Sequence, residues 1–160
     1  MNAMTDKKVL EKDELFATLG TSVGRLKLPQ TAYVDEGGNF KSRSDILIYD
    51  TIGFIRDLPP ELIDAFSSTL EESLSCDMLL QVVDASDPHI ADRIAVTDDI
   101  LTRIGAKQPR WYVFNQTDKC TVAQLKKLKT TYKHLKPIFV SAKTSEWVDE
   151  LKAKILTFGK

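Results

Sequence analysis

Three short polar strings, each set directly after an apolar, strand-like run, constrain the fold of this chain more than any other feature. Asp50-Thr51-Ile52-Gly53 follows Asp45-Ile46-Leu47-Ile48-Tyr49, Asn115-Gln116-Thr117-Asp118 follows Trp111-Tyr112-Val113-Phe114, and Ser141-Ala142-Lys143 follows Pro137-Ile138-Phe139-Val140. In open α/β sheets, ligands sit outside the carboxyl ends of the strands, so the three strings point to one rim of one sheet. An Asp-x-x-Gly string alone is short enough to arise by chance. The weight lies in the order and spacing, with Asn115 65 residues after Asp50 and Ser141 26 after Asn115.

The rest of the chain fits the same architecture. Residues 23–34 alternate and lead through Asp35-Glu36-Gly37-Gly38-Asn39 to the 45–49 run, which predicts a β-hairpin. Pro59-Pro60 opens a helical pattern with Leu62, Ile63, Phe66, Leu70 and Leu74 on one face. Met78 to Val83 is nearly continuous apolar, as in a parallel strand covered on both sides. Asp87-Pro88 predicts a helix start, Ile90, Ile94, Thr97, Leu101 and Ile104 share a face, and Gly105 is the stop. Thr121 is the expected cap of a helix with Val122, Leu125, Leu128 and Tyr132 inward, and Trp147, Val148, Leu151, Ile155 and Phe158 mark a last helix. Strands alternating with helices predict a three-layer α/β fold with a mostly parallel sheet and an antiparallel edge hairpin.

Composition narrows the function classes. With 160 residues, 42% hydrophobic and 28% charged, one domain with a real core is expected, and a net charge of -1 gives no global basic field. Lys126-Lys127-Leu128-Lys129 with Lys133 and Lys136 is a local basic stretch that reads as a solvated helix face. Cys76 and Cys120 have neither metal-ligand nor disulfide-framework spacing, and His89 and His134 stand alone as surface or cap residues. No apolar run reaches transmembrane length and no signal-peptide layout opens the chain, so a cytoplasmic monomer is expected.

Longer strings make the pattern specific. Leu15-Phe16-Ala17-Thr18-Leu19, then Asp50-Thr51-Ile52-Gly53-Phe54-Ile55-Arg56-Asp57-Leu58-Pro59, then Ala65-Phe66 with Thr69-Leu70-Glu71-Glu72, then Val82-Val83-Asp84-Ala85-Ser86-Asp87 together resemble the HflX family of ribosome-associated GTPases. The match runs over nearly the whole chain. It implies a P-loop-NTPase-like small G protein domain, GTP/GDP and Mg²⁺ as cofactors, and the large ribosomal subunit as partner. Yet the Gly-x-x-x-x-Gly-Lys-[Ser/Thr] phosphate loop occurs nowhere in the sequence, and Asn2-Ala3-Met4-Thr5 resembles the end of the helix that follows it. Residues 1–160 are therefore expected to be a G domain truncated at the N-terminus, without its first strand, its phosphate loop and most of its first helix. By resemblance the lost strand lies between the strand ending at Asp50 and the one ending at Asp84.

The resemblance also assigns roles. Thr18, within the switch string Phe16-Ala17-Thr18-Leu19-Gly20, would ligate Mg²⁺ through its hydroxyl, the oxygen ligand a hard cation prefers. Asp50 would hold the same ion through water, Thr51 and Ile52 continue that loop, and the Gly53 N–H would meet the γ-phosphate. Asp118 offers two carboxylate oxygens to the two edge N–H groups of guanine, a pair adenine lacks. Asn115, Gln116 and Thr117 form the loop under the base, the Ala142 N–H faces the guanine carbonyl from between Ser141 and Lys143, and the Lys143 stem lies over the ring. Residues 14–24 are the expected switch segment, ordered only when a γ-phosphate engages Thr18.

Departures from the pattern are equally legible. Gln116 replaces the usual lysine and removes an alkyl stem from the base. Gly20 replaces an acidic residue of the switch. Phe54 stands where small GTPases carry a Gln that orients water, so hydrolysis is expected to need another group. Two readings follow: the G domain of a ribosome-binding GTPase, with little turnover without the phosphate loop, or a degenerate G domain that serves as a protein or RNA interaction module.

Overall fold

The computed structural model describes residues 2–5, 22–26, 46–51 and 74–158. Five strands and three helices of more than one turn lie within them. The strands are β1 Ser22–Arg25, β2 Leu47–Asp50, β3 Leu79–Asp84, β4 Arg110–Asn115 and β5 Ile138–Phe139. The helices are α1 Ile90–Arg103, α2 Val122–Thr131 and α3 Val148–Thr157. β1 and β2 pair antiparallel, Ser22 opposite Asp50 and Arg25 opposite Leu47, as the hairpin pattern predicts. β3, β4 and β5 form a parallel sheet in that order, with Leu79 opposite Arg110 and Val113 opposite Ile138.

The period-two alternation of β4 joins two cores. Val113 packs with Val140, Leu26 and the α3 residues Val148, Leu151 and Ile155. Tyr112 and Phe114 point the other way, into a cluster with Val83, Ala85 and the α1 residues Ile90 and Ile94, against which Leu128 and Tyr132 pack. One helix thus covers one face of the parallel sheet and two cover the other, the three-layer arrangement expected from the strand–helix alternation. Phe114 is 0% exposed, with edge-to-face contacts to Tyr132 at 5.3 Å and Phe139 at 5.2 Å. Phe114→Ala is expected to destabilise the chain by about 3–5 kcal/mol, read as a fall in the thermal midpoint.

Between the two sheets the described residues leave a cavity. β3 pairs only with β4 among the described residues, and a cavity of about 530 Å³ runs along its other edge, lined by Ile48 and Asp50 of the β2 region and by Leu79 through Asp84. Val82 is 60% exposed, so β3 is not covered on both sides as its apolar sequence predicts. Gln81 is buried at 7% exposure, and neither its Nε2 nor its Oε1 finds a partner. Leaving a buried amide unsatisfied costs on the order of 1–3 kcal/mol per group, so this edge is a weak point of the fold.

Local details refine the helix boundaries. α1 starts at Ile90 with His89 as N-cap rather than at Pro88, because the Asp87 carboxylate accepts the His89 N–H at 2.8 Å and holds the preceding residues in a turn. Gly105, at φ +76°, ends it as expected, with the Ala106 N–H donating to the Leu101 carbonyl at 2.9 Å. Thr121 caps α2 in a full capping box with Gln124. Val122 lies 85% exposed instead of inward, and Trp147 is a left-handed N-cap residue half in solvent rather than part of the α3 core face. Asn2 to Met4 form a turn, and Thr5 bridges to Leu26. Pro59-Pro60 and the helical pattern after it lie outside the described residues, apart from Leu74.

Candidate functional site

Two parallel strands end side by side at the rim, and their loops lock onto each other. β4 ends at Asn115, whose carbonyl accepts the Ala85 N–H at 2.8 Å and whose side-chain Oδ1 accepts the Ala142 N–H at 2.9 Å. Gln116 then takes a left-handed conformation (φ 63°, ψ 32°), turning the chain sharply into the single 3₁₀ turn Thr117–Lys119. That turn carries Asp118 to the surface. Ser141, 0% exposed, donates its hydroxyl to Asp118 Oδ1 at 2.7 Å and accepts the Thr144 N–H at 3.2 Å. A backbone bond from the Thr117 N–H to the Val140 carbonyl at 3.3 Å completes the brace. Asn115, Thr117, Asp118, Ser141 and Ala142 are therefore tied together by hydrogen bonds between the two loops, with Gln116 making the sharp turn in the first.

The electrostatics suit a hydrogen-bond acceptor. The Ser141 hydroxyl bond holds the Asp118 carboxyl below the usual carboxylate range, with the nearby charges of Lys143 and Lys119 adding to the effect. Asp118 is thus ionised at neutral pH, both its oxygens able to accept. Because its pKa is depressed on folding, the stabilising contribution is present at neutral pH and is lost as pH falls below about 4. Ser141→Ala is expected to move the Asp118 titration upward, measured by carboxyl-carbon NMR as a function of pH. An unmoved titration would mean the hydroxyl bond has no such effect.

Asp50 and Thr51 reach the same cavity as Asn115 and Ala142. Asp84 lines it as well, its Oδ1 held by the Ser86 N–H at 2.7 Å and the Ser86 hydroxyl at 2.6 Å. The sequence marks Asp84 as a strand end and as part of a resemblance string, but does not place it at the site. Its position at the carboxyl end of a parallel strand was the signal available. Phe16, Ala17, Thr18, Leu19, Gly20, Ile52 and Gly53 lie outside the described residues. No group of three or more His, Cys, Asp or Glu that could hold a metal ion occurs among the described residues. Asp50, Asp84 and Asp87 line the cavity with carboxylates, the ligand type that suits Mg²⁺, an ion usually held by one or two carboxylates plus phosphate and water.

Residues 1–116 match a family model described as "50S ribosome-binding GTPase". The chain belongs to that family. GTPase HflX of Methanocaldococcus jannaschii is 38% identical over 160 residues, covering 98% of this chain and 37% of the relative. GTPase HflX of Gluconacetobacter diazotrophicus is 39% identical over 159 residues, 99% of this chain and 32% of the relative. The HflX resemblance carried by the motifs thus extends along the whole chain, which spans about a third of the length of these relatives. Among solved structures, a crystal structure of a variant of SsGBP superposes with a TM-score of 0.62 at 30% identity, covering 70% of this chain and 42% of that one. Era in complex with MgGDPNP and a segment of 16S ribosomal RNA gives 0.61 at 19% identity, covering 88% and 45%, a likeness of fold. The P-loop-GTPase-like fold of the 50S ribosome-binding GTPases is thus the fold of this chain. No helix among the described residues is long and apolar enough to cross a membrane.

Proposed function

We propose that this chain is the guanine-nucleotide-binding G domain of a cytoplasmic, monomeric GTPase that couples GTP binding and hydrolysis to engagement of the large ribosomal subunit. One observation carries the reading: the Asp118 carboxylate, ionised and fixed by Ser141, stands beside an Ala142 backbone braced by Asn115. Guanine presents two edge donors and a carbonyl to such a pair. Asp118 would accept the donors, the Ala142 N–H would lie near the carbonyl, and Gln116, Thr117 and Lys143 would flank the ring.

The phosphate half of the site is read from position. Asp50 would hold Mg²⁺ through water, with Thr51, Ile52 and Gly53 along the phosphates and Thr18 of the switch string Phe16 to Gly20 as the second oxygen ligand. Bound Mg²⁺ would neutralise charge developing on the transferred phosphoryl oxygens, and the chain's own part is to position it. The slot between β2 and β3 is read as the place of a further strand bearing the phosphate loop; the free β3 edge, the unpartnered Gln81 amide and the cavity of about 530 Å³ support this. Without that loop, turnover is expected to be weak or absent.

The test is co-sedimentation of the chain, extended to include strand and loop, with 50S subunits in the presence of a non-hydrolysable GTP analogue or GDP. Pelleting favoured at least tenfold by the GTP form is expected. Equal pelleting with both nucleotides would sink the coupling.

A further inference from the structure

Charge in this chain is sharply segregated. The 27 residues 119–145 contain seven lysines and no Asp, Glu or Arg, which leaves 15 basic residues against 23 acidic ones elsewhere. Lys119, Lys126, Lys127, Lys129, Lys133, Lys136 and Lys143 are all exposed. None of them forms an ion pair with a carboxylate among the described residues. Elsewhere among the described residues four basic side chains are paired, Arg93 with Asp87, Arg103 with Asp99, Arg110 with Asp98 and Lys152 with Asp149, while Lys107 and Lys154 are not. An ordinary solvated helix face mixes signs; this one does not.

Geometry aligns part of the set. Lys126, Lys129 and Lys133 follow one another at three- and four-residue spacing from α2 into the 3₁₀ turn Lys133–Leu135, and so share a side of the helix. The Lys129 ammonium lies 5.5 Å from the centroid of the Phe139 ring on β5, which places this row beside the end of the β3-β4-β5 order. Lys136 continues it in a left-handed turn. At about 1.5 Å rise per residue, Lys126 and Lys133 stand roughly 10 Å apart, a reach that spans successive phosphates of a nucleic-acid strand.

We propose that the face formed by α2 and the 3₁₀ turn after it, bearing Lys126, Lys129, Lys133 and Lys136, is a contact surface for the phosphate backbone of RNA. Unpaired, solvated ammonium groups on a regular row suit phosphate as point charges and read no base, so the contact is independent of sequence. The choice of RNA over another polyanion rests on the ribosome-binding reading above. The charge segregation does not.

The experiment is fluorescence anisotropy of the full chain with a labelled 16-base-pair RNA duplex over a range of salt, comparing wild type with K126Q/K129Q/K133Q and the charge-preserving K126R/K129R/K133R. The glutamine variant is expected to lose about two to three units of the log–log salt slope, roughly one per lysine, and the arginine variant to keep it. A pair of substitutions outside the face, K107Q/K154Q, should change little. An unchanged slope in the glutamine variant overturns the proposal, as does loss of binding in the arginine variant. Equal binding to poly-glutamate or to anionic vesicles at matched charge also overturns it, in favour of an acidic protein or a membrane surface. Duplex binding that depends on these lysines without any 50S pelleting supports the RNA face and counts against the ribosome reading alone.

Discussion

Asp118→Asn is expected to convert guanine selectivity into xanthine selectivity, with a change of at least a hundredfold in the ratio of GTP to XTP affinity. On the proposed reading the carboxylate would accept from two ring-edge donors, and the amide replaces one acceptor by a donor, so guanine would meet a donor–donor clash while xanthine would supply the matching carbonyl. A site that hydrogen-bonds a ligand edge discriminates strongly against an edge with the wrong donor–acceptor pattern, far more than the loss of a surface contact would. The substitution should leave the fold intact, because Asp118 is exposed and its packing role is confined to the Ser141 hydroxyl bond. Competition titration of GTP against XTP on the loop-extended chain measures it. An unchanged preference would remove Asp118 from the base site.

The second large effect concerns the slot beside β3. Adding a strand, a Gly-x-x-x-x-Gly-Lys-Ser loop and a helix ahead of Asn2 should produce Mg²⁺-dependent GTP binding in the micromolar range or tighter, where the 160-residue chain is expected to bind very weakly and to hydrolyse nothing measurable. The same addition should raise the thermal midpoint. Both follow from one cause: the strand would pair with the free edge of β3, give Gln81 a filled environment and bring backbone N–H groups to the phosphates. Pairing several backbone groups at about 1 kcal/mol each, with new apolar burial, amounts to a large share of a typical domain stability of about 5–15 kcal/mol. GTP binding gained without any rise in midpoint would separate the two and place the added strand elsewhere.

Much of the architecture was legible because period and punctuation agreed. β4 reads as a strand from Trp111 to Phe114 and feeds two cores by alternation, and α2 is announced by Thr121 and Gln124 in a capping box. The clustering of Asn115, Asp118 and Ser141 was legible for a different reason: their strings each follow a strand, and parallel strands deliver their carboxyl ends to one rim. What the motifs could not convey is the brace itself. Ser141 reads as a string residue, yet it is fully buried and fixes Asp118 through its hydroxyl, a contact 23 residues apart in sequence. Val122 and Trp147 were misplaced because apolar residues at helix starts share the helical period without sharing its buried face. The exposure of Val82 depends on what stands beside β3, which a local apolar run cannot encode. The switch residues Phe16 to Gly20, with Ile52 and Gly53, fall outside the described residues, and their roles rest on resemblance.

The most direct test of the base-reading loop is an amide NMR titration of the unextended chain with guanosine monophosphate and, separately, adenosine monophosphate at millimolar concentration. The loop is already assembled by Asn115, Ser141 and the left-handed Gln116, so it should respond without a phosphate site. Saturable shifts confined to Gln116 through Lys119 and Ser141 through Thr144, seen with the guanine nucleotide and absent with the adenine one, are the predicted result. Equal shifts with both nucleotides, or shifts centred away from these two loops, would contradict the assignment of this site to guanine.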